Sequence, residues 1–350
     1  MAKGEIIDLF NLTSQGVDAD IKNYQFTITG AYGAGKSSLA TALFNRVGKA
    51  VTFGCEDRFK GIKDIKIIPI ESWKNALDYK KVLTKGLKDN GGKNPFDFDT
   101  IILDPVGRLG KMCEEYICED NMWESLADGG YGKGYNLLED EFNSFVNDLK
   151  RLGFGVNYVA HGRTDTITPP RAIEGYQIFV PDVAKKIKYA VQGAADFVLY
   201  LDVLRQVDET TGVNKPVRRL YLQNYADYEL KVPLEGFPDY IEYETVDEGV
   251  DKFIEAFNEA VKVTKGGDQP KQSKSADKSS TKQKQQKPKT SETNLSIDEL
   301  RNLAIAIRDQ MLKNLDRDFV INKLKSALGT AMIQDCDDTV KLMAFIEEFK

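Results

Sequence analysis

The eight residues Gly30-Ala31-Tyr32-Gly33-Ala34-Gly35-Lys36-Ser37 constrain this chain more than any others, because they spell G-x-x-x-x-G-K-S/T between an apolar strand and an apolar helix. Upstream, Tyr24, Phe26 and Ile28 alternate as in a short strand; downstream, Leu39, Ala42, Leu43 and Val47 recur at helical spacing until Gly48. A chain that turns through glycines directly into a helix points successive N–H groups at one spot, with the positive end of the helix behind them. That arrangement suits a phosphate chain. Gly30, Tyr32, Gly33, Ala34, Gly35, Lys36, Ser37 and Ser38 are expected to line it, with Lys36 reaching the β- and γ-phosphates. The Ser37 hydroxyl suits a hard Mg²⁺ ion, so ATP and Mg²⁺ are the expected ligand and cofactor.

Around this motif the pattern alternates. Val51 to Phe53, Ile65 to Ile70, Thr100 to Leu103 and Gly155 to Ala160 read as strands. Trp73, Leu77, Val82 and Leu83 mark one helix, and Leu138, Phe142, Phe145, Leu149 and Leu152 another that stops at Gly153. A further helix is expected near Val183 to Val191. Strands interleaved with helices predict an α/β fold whose mostly parallel sheet is covered on both faces. Phe197 to Leu201 and Val217 to Leu222, flanking Glu209-Thr210-Thr211-Gly212, predict a terminal β-hairpin.

A magnesium site needs a carboxylate at the end of a buried neighbouring strand, and Thr100-Ile101-Ile102-Leu103-Asp104 provides one. Pro105 follows; it favours an extended Asp104 and can open the next helix. Because Pro105 and Val106 stand where many such proteins carry a glutamate, the group that activates water must come from elsewhere. Glu56, just past the Val51 to Phe53 strand, is the candidate base, with Asp57 as its rival. His161, the only histidine, ends the strand of Val156, Tyr158 and Ala160, where an imidazole can donate to a γ-phosphate and register its loss.

Composition bounds the rest. The four cysteines, Cys55, Cys113, Cys118 and Cys336, form no C-x-x-C pair and predict reduced, structural thiols. No apolar run approaches membrane-spanning length, and Asp8 breaks the short N-terminal one, so a cytoplasmic protein with no membrane partner is expected. From Lys265 to Glu292 Lys, Gln, Ser, Thr and Pro dominate the chain, with a charge of about +5 against a total of −6. A folded ATPase domain over 1–263, a disordered basic linker over 264–294 and a small all-α module over 295–350 are the expected units. The module opens on a capping box, Ser296 to Glu299, inside a staple of Leu295 and Leu300. Three apolar faces follow: Leu300, Leu303, Ile307 and Met311; Phe319, Val320, Leu324 and Leu328; Val340, Met343 and Phe345.

Taken together, GAYGAGKSS from Gly30, VTFGCED with its Glu56-Asp57 pair, TIILD ending at Asp104 and VNYVAH ending at His161 resemble the RecA-like P-loop ATPases. The run Gly129-Gly130-Tyr131-Gly132-Lys133-Gly134-Tyr135 is similar to the phage-encoded nucleotide-binding proteins of that superfamily, whose characterised members are single-strand annealing recombinases. The resemblance covers roughly Tyr24 to Val261. It implies a RecA-like core, Glu56 as catalytic glutamate, His161 as the residue coupling nucleotide to DNA, and single-stranded DNA as partner in the bacterial host cytoplasm. Two DNA loops are implied as well, one with Tyr131, Lys133 and Tyr135, the other, Gly162 to Val180, with Arg163, Arg171, Tyr176 and Phe179. Basic groups there would meet phosphates while rings stack on bases; mobile loops or a small-molecule lid are the alternative. A homo-oligomer is expected, with a replication or recombination protein as partner of the C-terminal module; Lys185 and Lys186 read as a solvated helix face first, with fingers toward a neighbour's γ-phosphate as the alternative. Competing readings are an AAA-type replication ATPase or helicase loader, a small-molecule phosphotransferase, and a nucleotide-gated assembly protein.

Overall fold

The computed structural model of the chain describes residues 16–168, 175–207, 214–223 and 225–265, and four helical residues farther on, Ala304, Arg308, Leu324 and Lys341. The chain divides into two compact units, Met1–Ser273 and Lys274–Lys350. The expected linker beyond Lys265, the capping box at Ser296 and most of the C-terminal faces lie outside the described residues.

The first unit is the expected α/β sheet. Its central strands β1 (Phe26–Gly30), β2 (Ala50–Gly54) and β4 (Thr100–Asp104) are buried along their whole length. Such strands need cover on both faces, and helices crossing between parallel strands supply it. With β3 (Ile67–Pro69), β5 (Gly155–Ile167), β7 (Phe197–Val207), β8 (Asn214–Tyr221) and β9 (Tyr240–Tyr243), the order is β3-β2-β4-β5-β1-β7-β8-β9. The first six in that order run parallel, while β8 is antiparallel to both β7 and β9. The β7–β8 hairpin therefore forms as expected, with β9 added outside it.

Alternation along each strand divides the core into two layers. Phe26, Ile28, Phe197, Leu199 and Leu201 face α1 (Lys36–Val47) and α5 (Val246–Thr264). Val51, Phe53, Ile101, Leu103, Val156 and Tyr158 face α2 (Trp73–Asp89), α3 (Val106–Asn121) and α4 (Lys133–Arg151). Phe26 stacks on Phe197 at 4.5 Å, and Trp73 lies against Phe142 and Phe145. Each such side chain contributes roughly 2–3 kcal/mol by burial. These layers hold the sheet edge that carries the site.

Three expectations change. The strand expected over Ile65 to Ile70 is only Ile67–Pro69, because the edge strand β3 finds its partner in three residues, Thr52 to Gly54. The helix expected near Val183 to Val191 is reduced to a 3-10 turn, Lys185–Ile187, and a π turn, Tyr189–Gly193. There Ile187 packs on Gly110 of α3, and the Thr27 hydroxyl donates to the Val191 carbonyl, so tertiary contacts fix the chain where helical spacing suggested a rod. The loop expected over Gly162 to Val180 is largely a ribbon: β5 runs on to Ile167 and pairs antiparallel with β6 (Tyr176–Pro181). Polar residues such as Arg163, Thr164 and Asp165 give no strand signal of their own; the ladder with β6 satisfies their backbone.

Candidate functional site

Gly30 closes β1, paired with Leu201 on one side and His161 on the other. A Cβ there would lie 2.0 Å from the Leu201 carbonyl oxygen, so no other residue fits. Gly33 (φ 75°) and Gly35 (φ 96°) take the left-handed conformation that bends the loop back over the start of α1. Ala34 is buried, Ser37 and Ser38 are half-buried at the helix start, and Tyr32 stands outward. Lys36, only 5% exposed, donates from its ammonium to the Ala31 carbonyl at 2.8 Å. Burial lowers its pKa, while the Asp104 and Glu56 carboxylates support the charge. Backbone and lysine together form the anion cradle that the motif requires.

Asp104 ends β4 directly beside Gly54 of β2. Burial raises its carboxyl to about 6; the Ser37 hydroxyl and Lys36 oppose the shift, and Glu56 adds to it. Its Oδ2 is buried without a hydrogen-bond partner among the described residues. A buried acceptor of that kind is costly unless a ligand completes it. One carboxylate oxygen and one hydroxyl beside a phosphate cradle are what Mg²⁺ needs, since it draws its other ligands from phosphate and water. Among the described residues no cluster of three His, Cys, Asp or Glu offers an all-protein metal cage. Asp104 and Ser37 would hold the ion, which when bound neutralises charge on the phosphate oxygens.

A pH dependence follows. Below about pH 6 the Asp104 carboxyl is protonated and cannot serve the metal, so Mg²⁺-dependent nucleotide binding should weaken up to about tenfold per pH unit as pH falls through that value. The ligand-free fold should behave oppositely. A carboxyl held above its unfolded value of 3.8 favours the folded state as it takes up its proton, between about 6 and 3.8. Calorimetric titrations of Mg-nucleotide from pH 5 to 8, beside melting curves, check both signs.

Glu56, half-buried just past β2, and His161, on β5 where it passes Gly30 at the end of β1, meet at this edge. Glu56 Oε1 lies 3.7 Å from His161 Nε2, and His161 Nδ1 lies 3.5 Å from Lys36 Nζ. An ammonium can only donate, so Nδ1 accepts and Nε2 carries the hydrogen, aimed toward Glu56. Burial and then Lys36 lower the imidazole's pKa, with Glu56 pulling the other way, which keeps the ring neutral near pH 7. The Tyr32 ring stacks on it at 4.0 Å. Asp57, the rival base, is exposed. The edge thus brings Lys36, Ser37, Glu56, Asp104 and His161 together.

The implied DNA residues lie farther out. Tyr131 sits fully exposed at a tip between Gly130 and Gly132, with φ 44°, before Lys133 opens α4 and Tyr135 follows, exposed. This loop follows α3 rather than the metal-site strand directly. Arg163 starts the β5–β6 ribbon beside Asp182, at 3.4 Å, and Tyr176 and Phe179 are exposed on β6. Arg171 lies outside the described residues. Lys186 is held by Asn136 and Glu139 of α4, both at 3.0 Å, and Lys185 is exposed.

Two features have no local sequence signal. Arg218 of β8 donates from Nε to the Ala34 carbonyl at 3.2 Å and from Nη1 to the Glu244 carbonyl at 3.1 Å, bracing the phosphate loop from outside. Beside Glu56 and His161 a cavity of about 340 Å³ opens, lined also by Arg108, Lys111, Arg163 and Asp182. Cys55, Cys113 and Cys118 are buried free thiols; Cys336 lies outside the described residues. Among the described residues no helix is long and apolar enough to cross a membrane.

Comparison with known proteins adds two findings. A model of the AAA domain family matches residues 22–230, a span that holds every site residue named above except the Glu244 carbonyl. The chain is also similar to the SPbeta prophage-derived uncharacterized protein YorG of Bacillus subtilis (strain 168), with 30% identity over 210 residues. That alignment covers 60% of this chain and 59% of YorG, so the chain matches less than two thirds of its relative's length.

Proposed function

The chain belongs to the AAA domain family of P-loop proteins, and from that premise we propose that it is a RecA-like ATPase acting on single-stranded DNA in phage recombination or replication, as a recombinase or annealing protein. The prophage origin of its relative supports the phage setting. One observation carries the DNA reading: β5 runs without a break from His161, beside Lys36 and Glu56, into the exposed ribbon of Arg163, Tyr176 and Phe179. A strand that passes the nucleotide and runs on into an exposed basic and aromatic surface can pass a change at one to the other.

In this reading Lys36, the loop amides and Ser37 hold the triphosphate, Asp104 completes the metal site and Glu56 orients and deprotonates the attacking water. Catalysis is then mainly positional and electrostatic. His161 donates from Nε2 to the terminal phosphate and reports its loss through β5. Tyr131, Lys133, Tyr135 and Arg163 contact the strand, by stacking and by phosphate neutralisation. Self-assembly, and a replication or recombination protein on the C-terminal module, complete the proposal.

The cavity beside Glu56 favours a second reading, a phosphotransferase whose small acceptor enters between Arg108, Lys111 and Arg163. The family match leaves room for an AAA-type replication ATPase or helicase loader. Phosphate release measured with and without single-stranded DNA separates them. The recombinase reading predicts several-fold stimulation that fades with salt, and Tyr131→Ala should weaken DNA binding roughly 5- to 100-fold, the range of one lost base stack. A phosphorylated small molecule and indifference to DNA would favour the transferase instead.

A further inference from the structure

The metal end of the site fixes the direction in which a nucleotide lies. Glu56 just past β2, Asp104 on β4 and His161 on β5 all stand on one side of β1. A triphosphate whose terminal phosphates face them carries its nucleoside the other way, over β7 and β8. Those strands do not stop where β1 stops. Gly30 pairs with Leu201, whereas β7 continues to Val207 and β8 starts at Asn214, so their ribbon stands roughly 20 Å above the end of β1. It forms a wall beside the phosphate loop.

The loop-facing side of this wall is set by register. Val203 pairs directly with Arg218, and Arg205 with Pro216, so these four share the face of Leu201 and Leu220, against which α1 packs. Val203 is 37% exposed there, an apolar side chain left open next to a phosphate site. Arg218 is drawn against the loop itself. Its Nε bonds the Ala34 carbonyl, and a Cβ added at Gly35 would lie 3.2 Å from that same nitrogen. A planar cation and an apolar edge at the mouth of an anion cradle are the elements that hold a base and its ribose, because guanidinium stacks on a π face while Val and Pro cover the ring edge.

We infer that the β7–β8 wall is the nucleoside subsite, with Val203 and Pro216 as its apolar shelf and Arg218 holding the phosphate loop and the base together. The inference rests on the reading that Gly30 to Ser37 binds a nucleoside triphosphate, and it adds where the nucleoside goes.

Calorimetric binding of ATP and of inorganic tripolyphosphate, each with Mg²⁺, tests it on the full chain. Wild type should bind ATP at least about tenfold more tightly than tripolyphosphate. Arg218→Ala, which also frees the loop carbonyl it braces, should lose at least about tenfold more affinity for ATP than for tripolyphosphate, and Arg218→Lys should recover only part of that difference, since an ammonium cannot stack as a fork does. Val203→Ala leaves the Arg218 bonds in place and should cost about threefold for ATP and nothing for tripolyphosphate. Equal losses for both ligands in Arg218→Ala would mean that it only shapes the loop, and with Val203→Ala silent the subsite is overturned. Equal wild-type affinity for the two ligands overturns it as well. Wild type binding neither ligand would instead remove the phosphate-loop reading beneath it.

Discussion

Glu56→Gln is expected to leave Mg-ATP binding within about twofold of wild type and to slow hydrolysis at least ~100-fold. Glutamine keeps the volume and one acceptor oxygen of the side chain but cannot take a proton from water. The loss should therefore fall on turnover and not on affinity. Glu56 is chosen over Asp57 on position: it is half-buried and faces His161 at 3.7 Å, whereas Asp57 is exposed. A second effect has a definite sign. Glu56 pushes the Asp104 carboxyl up, so neutralising it should lower the pH at which magnesium-dependent binding fades. Steady-state phosphate release and nucleotide titrations over pH separate the two effects. Full activity in Glu56→Gln, with loss in Asp57→Asn, would move the base by one residue.

Lys36→Ala should abolish measurable turnover and weaken nucleotide binding by roughly 10- to 150-fold, the equivalent of about 1.5–3 kcal/mol for one charge-assisted hydrogen bond. The variant should not melt earlier than wild type. Burial lowers the pKa of Lys36, which means that the folded protein holds this charge at a cost, and an alanine removes that cost. Against this, the substitution gives up the hydrogen bond to the Ala31 carbonyl and the 3.5 Å approach to His161. Weaker binding together with an unchanged melting temperature would place the effect in the site and not in the fold.

What could be read from the chain alone was what local chemistry encodes. The glycine loop, β1 and α1 follow from neighbouring residues, and Asp104 and His161 from the apolar runs they follow, because such positions in a parallel sheet gather at one edge. Val82, read with Trp73 as marking the same helix, is 58% exposed. Nine residues along a helix amount to about two and a half turns, which places it opposite Trp73. The helix α5 stands outside the sequence expectations although its signal is present: Thr245 and Glu248 form a capping box, and Val250, Phe253 and Phe257 recur at helical spacing. Other features were beyond any local rule. The ribbon of β5 and β6 depends on the polar stretch Arg163 to Thr166 finding its partner in β6, and Arg218 reaches Ala34 only because β8 folds back on β7 in one register. Such contacts join residues far apart in the chain, where periodicity carries no information.

A crystal structure of the full chain with Mg²⁺ and a nonhydrolysable ATP analogue tests the central claim most directly. The triphosphate should lie along the amides of Gly33 to Ser37, with the metal against the Ser37 hydroxyl and on the side of Asp104. A nucleotide bound elsewhere, or a loop that stays bare at saturating analogue, would contradict it.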